Sequence, residues 1–239
     1  MKKIILTVAI ATISYSTFAQ IYMAKTCEIS FLSPTSVEDI AAVNKITKPM
    51  LNAATGDFQM KIVMTSFMFE KPLMQEHFNE NYLESDKFPN AIFKGKINEK
   101  IDYTKNGEYN ATITGKFNIH GVEKEKTIKG TIVIDGSQVI MSSTFRLAFA
   151  DYNVEIPALQ TAIIPADTEV KFKAVLESFK SVKIGMTKDE VIKIKGQPEK
   201  INQTETKLGK AETLFYDNLK TSININADGK VDYINNLNK

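Results

Sequence analysis

The chain is poor in the residues from which most catalytic centres are assembled. Cysteine occurs once, at Cys27, and histidine twice, at His77 and His120. A nucleophile–base pair or a cluster of metal ligands has almost nothing to draw on. G-x-S-x-G, H-E-x-x-H, C-x-x-C and a phosphate-binding glycine loop are all missing. The expectation is a protein that is not an enzyme, with no catalytic residue, no metal and no cofactor. A single cysteine also excludes a disulfide framework. Arginine is as scarce, present only as Arg146, and without Lys2 and Lys3 the basic side chains merely equal the 28 acidic ones. No basic field exists to hold nucleic acid.

The N-terminal apolar run, Ile4 to Ile13, is too short to span a membrane. It follows Met1-Lys2-Lys3 and precedes the small-residue site Thr17-Phe18-Ala19, the layout of a secretory signal peptide over residues 1–19. Cleavage near Ala19 predicts a periplasmic or secreted protein with no transmembrane segment once processed. Cys27 is then expected to be an ordinary buried thiol.

From Tyr22 to Glu177 apolar side chains recur at every second position, as in strands with one buried face. Phe58, Met60, Ile62 and Met64 form one such set, and Ala91, Phe93, Gly95 and Ile97 another. Ile113 and Phe117, Ile128, Ile132 and Ile134, then Val139, Met141, Phe145 and Leu147, continue the pattern to Val170, Phe172, Ala174 and Leu176. Turn signals separate the sets at 52–57, 105–107, 121–124 and 135–137. The reading is an antiparallel meander of about eight strands that packs on a second sheet or closes on itself. Closure removes exposed edges and leaves room for one ligand. Gly95 and Gly115 read as gaps in the inward face, but alternation does not distinguish a filled core from a cavity. Residues 35–50 suit a short helix or an irregular strand.

Between the strands, Pro72 suits a first helical turn, and Leu73, Met74, His77, Phe78, Tyr82 and Leu83 follow at helical spacing. This helix is expected at one barrel mouth, either plugging it or placing Leu73, Phe78 and Tyr82 at an entrance. Arg146 is expected in an exposed cross-strand ion pair, with contact to a ligand head group as the alternative.

Three ordered segments, Leu83 to Phe93, Phe117 to Lys124 and Phe145 to Ile156, together resemble the YceI-like family of polyisoprenoid-binding proteins. Leu83, Lys87, Phe88, Pro89, Ala91 and Phe93 match its "F-x-x-x-K-(Y/F)-P-x-A-x-F" segment. Phe117 to Lys124 resembles its "L-x-(L/I)-(N/H)-G-V-x-(K/R)" hairpin, and Phe145 to Ile156 its "F-x-(V/L)-x-(R/A)-x-D-(F/Y)-x-(V/I)" strand. The resemblance implies a lipocalin-like barrel over 20–177 with a hydrophobic interior that holds a long isoprenoid or similar lipid. Its ligand-binding residues would be Phe58, Met60, Ile62, Met64, Phe93 and Ile113, with Phe117, Ile132, Phe145 and Leu147 from later strands. Leu73, Phe78 and Tyr82 would serve at the mouth.

After Glu177 the period changes. Thr187 and Glu190 form a capping box, Val191, Ile192 and Ile194 continue a helix, and Gly196 and Pro198 end it. Short strands are expected at 212–216, 221–225 and 231–234, with a turn at 227–230. The run I-G-M-T-K-D-E-V with the later G-x-P resembles the SmpA/OmlA or BamE-like fold, which implies an envelope protein partner through 178–239. The whole is expected to be mainly β: an eight-stranded antiparallel barrel with a capping helix, then a small α+β domain of one helix on a three-stranded meander. The leading function is an exported carrier of an isoprenoid-type lipid. The alternative is an envelope interaction or stress-related structural protein whose barrel holds no lipid.

Overall fold

Over residues 21–179 alternating side chains put one face of the long strands on a common interior, and the strand order shows how that interior is enclosed. The computed structural model describes residues 21–158, 160–179, 182–216 and 221–236. The segment read as a signal peptide lies outside the described residues. The chain divides into two compact units, the first ending at Phe179 and the second beginning at Lys180.

The first unit runs β1 (Ile21–Ser33), β2 (Ile40–Asn44), β3 (Met50–Asn52), β4 (Asp57–Val63), β5 (Met68–Phe69), α1 (Pro72–His77), β6 (Asn90–Ile97), β7 (Gly107–Ile119), β8 (Val122–Asp135), β9 (Gln138–Ala148) and β10 (Asp167–Phe179). Neighbours from β3 through β10 pair antiparallel, apart from β5, which lies on β2. Strand β10 then pairs with β1 from Ile21–Phe179 to Leu32–Glu169 and closes eight strands into a barrel. Lys25 is the extra residue of a bulge in β1, where the register shifts between Ala24 and Thr26. Such a bulge bends a strand and increases its twist, as closure requires.

On its other side β1 has two partners: β3 along Ile21–Met23 and β2 along Ile29–Ser33. The ambiguous stretch 35–50 thus resolves into a loop and strand β2. Asn44 is fully buried at the join, where its Oδ1 accepts hydrogen bonds from the Ile46 and Thr47 amides and the Thr47 hydroxyl. Its Nδ2 donates to the Val63 carbonyl at 3.2 Å. A buried amide is tolerated when its bonding capacity is met, and here it ties β2 to the end of β4.

Gly95 and Gly115 are not gaps left for a ligand. They face each other on β6 and β7, and a Cβ on Gly115 would stand 2.3 Å from both Gly95 Cα and the Lys94 carbonyl oxygen. The close approach of two backbones demands glycine there. At the next turn His120 (φ 51) and Gly121 (φ 75) form the two-residue hairpin between β7 and β8.

The second unit contains α2 (Lys188–Lys195), β11 (Lys200–Thr206), β12 (Gly209–Tyr216), β13 (Thr221–Ile225) and β14 (Val231–Asn236) in one sheet of consecutive antiparallel neighbours. It has four strands where the sequence predicted three. Strand β11, KINQTET, is exposed at every position, so it carries no apolar alternation to reveal it. The Thr187–Glu190 capping box is present as expected. Val191, Leu214, Tyr216, Ile223, Ile225 and Val231 form a core of their own.

Candidate binding site in the barrel

The helix expected at the mouth is α1, and it buries none of its side chains. It continues into a wider π turn over residues 78–82, in which the Leu83 amide donates to the Phe78 carbonyl at 2.9 Å. π turns of this kind often mark functional positions. This one aims Phe78 inward, where its ring meets Phe31, Phe67 and Phe69 with centroids 5.0–5.7 Å away.

Three apolar spaces follow one another into the barrel. The mouth, about 390 Å³, lies among α1, the start of β2 and the segment 149–164. The central cavity, about 110 Å³, shares Phe31, Phe78, Leu83, Phe149 and Val154 with the mouth, and these side chains form a neck between the two. The inner cavity, about 40 Å³, shares Met60, Phe145 and Phe172 with the central one. An apolar void of ~150 Å³ takes a benzene-sized guest. Each inner space therefore holds only a short piece of a chain unless the partitions move.

Each of the thirteen side chains expected to bind the ligand borders one of these spaces. Phe58, Phe93, Ile113 and Ile132 line the inner cavity, and Met60 and Phe145 stand in the wall to the central one. Ile62, Met64, Phe117 and Leu147 line the central cavity, and Phe78 stands in the neck. Leu73 and Tyr82 line the mouth. Phe31, Phe67, Gln160, Ile163 and Ile164 are not marked by the sequence. Phe31 lies on the long strand β1, whose alternation the bulge interrupts, and 160–164 has no repeating pattern. Val37, Leu73 and Ile163, at 78 %, 60 % and 40 % exposure, leave apolar surface around the mouth. The Tyr82 hydroxyl donates to Gln160 Oε1 across it.

His120 does more than turn the chain. Its ring, 10 % exposed, lies 3.1 Å by Nδ1 from the Tyr152 carbonyl oxygen and 3.1 Å by Nε2 from Glu84 Oε2. Phe88 packs edge-on against it at 4.5 Å. Hydrogen bonds with Lys87 and then His120 hold the Glu84 carboxyl below its ordinary range. The three signature segments thus meet at one ring, and the Tyr152 turn beside the central cavity is anchored. Burial pushes the Tyr152 phenol up to about 12, so it stays neutral against Phe117.

Arg146 makes the cross-strand ion pair expected of it, donating from Nε and Nη2 to the two Asp167 oxygens at 2.8 and 2.6 Å. Cys27 is buried, and desolvation raises its thiol to about 12. Among the described residues no group of three histidine, cysteine or acidic side chains is placed to hold a metal, and no helix is long and apolar enough to cross a membrane.

A closed eight-stranded antiparallel barrel with an apolar interior and a helix-flanked mouth is the architecture of a small-ligand-binding β-barrel. The chain belongs to the YceI-like family, whose domain matches residues 24–176. Among solved structures it is similar to a polyisoprenoid-binding domain from Saccharophagus degradans implicated in plant cell wall breakdown. That match has 13 % identity and a TM-score of 0.57, over 67 % of this chain and 99 % of the other. It is also similar to Burkholderia cenocepacia BcnA, at 18 % identity and a TM-score of 0.54, over 62 % of this chain and 95 % of that one. These likenesses establish the fold. No curated protein sequence matches the chain.

Proposed function

We propose that the barrel holds a long apolar lipid of the isoprenoid type, its chain threaded from the mouth through the central cavity toward the inner one. The observation that carries this reading is the succession of three apolar spaces sharing walls from mouth to interior. Membership of the YceI-like family and likeness to a polyisoprenoid-binding domain support it. Met60 and Phe145 divide the inner spaces, and methionine and half-buried phenylalanine change rotamer readily. A chain that displaces them turns separate voids into a tunnel. Each methylene taken from water contributes ~0.8 kcal/mol, so about 15 of them outweigh most association costs of ~4–15 kcal/mol without any charged contact.

The same reading includes export, from the leader at 1–19, and a protein-docking role for 178–239, from its likeness to BamE-like modules. Organic extraction of the natively purified protein followed by mass spectrometry tests the carrier. Stoichiometric isoprenoid lipid is expected. An empty barrel that co-purifies with an envelope protein instead makes the barrel a scaffold. Detection of mature chain beginning at Gln20 in the periplasmic fraction tests export.

A further inference from the structure

The apolar surface left at the mouth lies on three separate segments. Val37 tops the loop before β2, Leu73 lies on α1, and Ile163 belongs to the stretch after Ile156; all three are exposed and line the mouth. Residues 156–166, between Glu155 and Asp167, include no charged side chain in a protein that is 24 % charged, and Pro157, Ala158, Ala162 and Ile163 among them are exposed. Backbone groups in two of these segments are satisfied locally. The Thr35 hydroxyl accepts from the Val37 and Glu38 amides and donates to the Glu38 carbonyl, so the turn that presents Val37 closes on itself. In the other, the Gln160 amide donates to the Pro157 carbonyl, the Ile163 and Ile164 amides to the Gln160 carbonyl, and the Thr161 hydroxyl to the Ala158 carbonyl. Self-satisfied backbone is what an apolar medium demands of a segment that enters it. Polar side chains of the mouth are engaged with one another as well: Lys71 pairs with Glu38 at 2.5 Å, and Tyr82 with Gln160.

We propose that the mouth docks on the surface of a lipid bilayer, with Val37, Leu73 and Ile163 inserted at the boundary of head groups and acyl chains. The proposal rests on the carrier reading for its purpose, since a lipid that enters the barrel through a mouth seated on a membrane need not cross water. A protein partner fits the rim less well. Protein interfaces take about one hydrogen bond per 100–200 Å², and the polar groups here are already taken by one another, whereas a bilayer requires no such contacts. The Lys71–Glu38 pair has no net charge, so the rim offers anionic head groups nothing beyond what it offers neutral ones. The three aliphatic side chains bring about a dozen apolar carbons, on the order of one myristoyl chain, whose membrane binding is marginal and reversible. Docking is therefore brief, as a carrier that must leave the membrane needs.

The chain beginning at Gln20 is mixed with sucrose-loaded vesicles of phosphatidylcholine, alone or with phosphatidylglycerol, and the bound fraction is measured by sedimentation. The wild type is expected to bind both kinds of vesicle alike, in high salt as in low. Val37→Asp, Leu73→Asp and Ile163→Asp are each expected to weaken binding about tenfold or more. Met68→Asp replaces an exposed apolar side chain outside the mouth and is expected to bind as the wild type does. Absence of wild-type binding, binding confined to the anionic vesicles, or an equal loss in Met68→Asp would overturn the proposal. So would a wild-type dimer in light scattering that Val37→Asp dissociates, since the rim would then join two copies of the chain. Lipid extraction separates this proposal from the carrier reading. Lipid recovered from a chain that ignores vesicles would overturn the docking and leave the carrier; an empty barrel in a chain that binds them would remove the carrier and leave the docking. Should an aspartate variant not fold, serine at the same position supplies the comparison.

Discussion

The two units begin from the same material, antiparallel strands with one apolar face, and complete their interiors differently. In the second unit an open sheet meets one helix, and Val191 of α2 joins Leu214, Tyr216, Ile223, Ile225 and Val231 in one buried cluster. Polar contacts fix the helix in place: Lys188 reaches Glu212 at 2.5 Å, and the Tyr216 hydroxyl donates to the Gly196 carbonyl at 3.2 Å. In the first unit the sheet wraps round and must fill its middle from its own walls. Rings fill the centre, where Phe93 stands within 5.3–6.2 Å of Phe117 and Phe58, but volume remains on either side of Met60 and Phe145. An apolar sheet face is thus covered by a helix in one unit and by the sheet's own far wall in the other.

The largest effects test whether the cores are truly of different kinds. Phe93→Ala is expected to cost the barrel ~3–5 kcal/mol and Leu214→Ala the second unit ~2–5 kcal/mol. A unit of this size has only roughly 3–9 kcal/mol to lose. Amide hydrogen exchange should therefore find the barrel weakened but folded in the first variant, and the second sheet unprotected in the other. A loss of barrel protection in Leu214→Ala would break the comparison.

Glycine replacements come next. Gly115→Ala drives a Cβ into the backbone of β6 and is expected to cost about 3 kcal/mol or more in denaturant melts. Gly229→Ala meets nothing within 4 Å and suffers only from its φ of 74, a matter of ~1 kcal/mol. Equal costs would mean that β6 and β7 are free to separate.

Phe145→Ala removes the partition between the central and inner cavities. It is expected to lower the melting temperature of the empty barrel by several degrees, equivalent to ~1–3 kcal/mol. It should also widen the range of chain lengths recovered by extraction. An unchanged lipid profile would place the partition outside the path of the chain.

Acid gives the smallest expected effect and touches both units. Thr104 and then Lys105 stabilise ionised Asp102 and lower its pKa from 3.8 to about 2, so its contribution is present above pH 4 and disappears between about pH 4 and pH 2. Lys188 lowers the Glu212 pKa in the second unit, with the same sign. Asp102→Asn should flatten the acid limb of the barrel's stability profile and leave that of the second unit unchanged.

The sequence discloses the parts of this comparison that are periodic. Phe58 to Met64, Ala91 to Ile97 and Val170 to Leu176 carry their inward faces openly, because a strand buried on one side must alternate. The signature around Leu83 to Phe93 gives the family. Closure by β10 on β1 joins residues some 150 positions apart and leaves no local trace. Strand β11 is fully exposed, and the part of the mouth segment after Ile156 is irregular, so neither carries a period.

Cys27 sits opposite Ala174 on the seam where β1 and β10 close the barrel, and its thiol is both covered and held protonated. Alkylation needs the thiolate in contact with solvent. Modification of this one sulfur therefore acts as a clock for unzipping of the seam, with no engineered probe required.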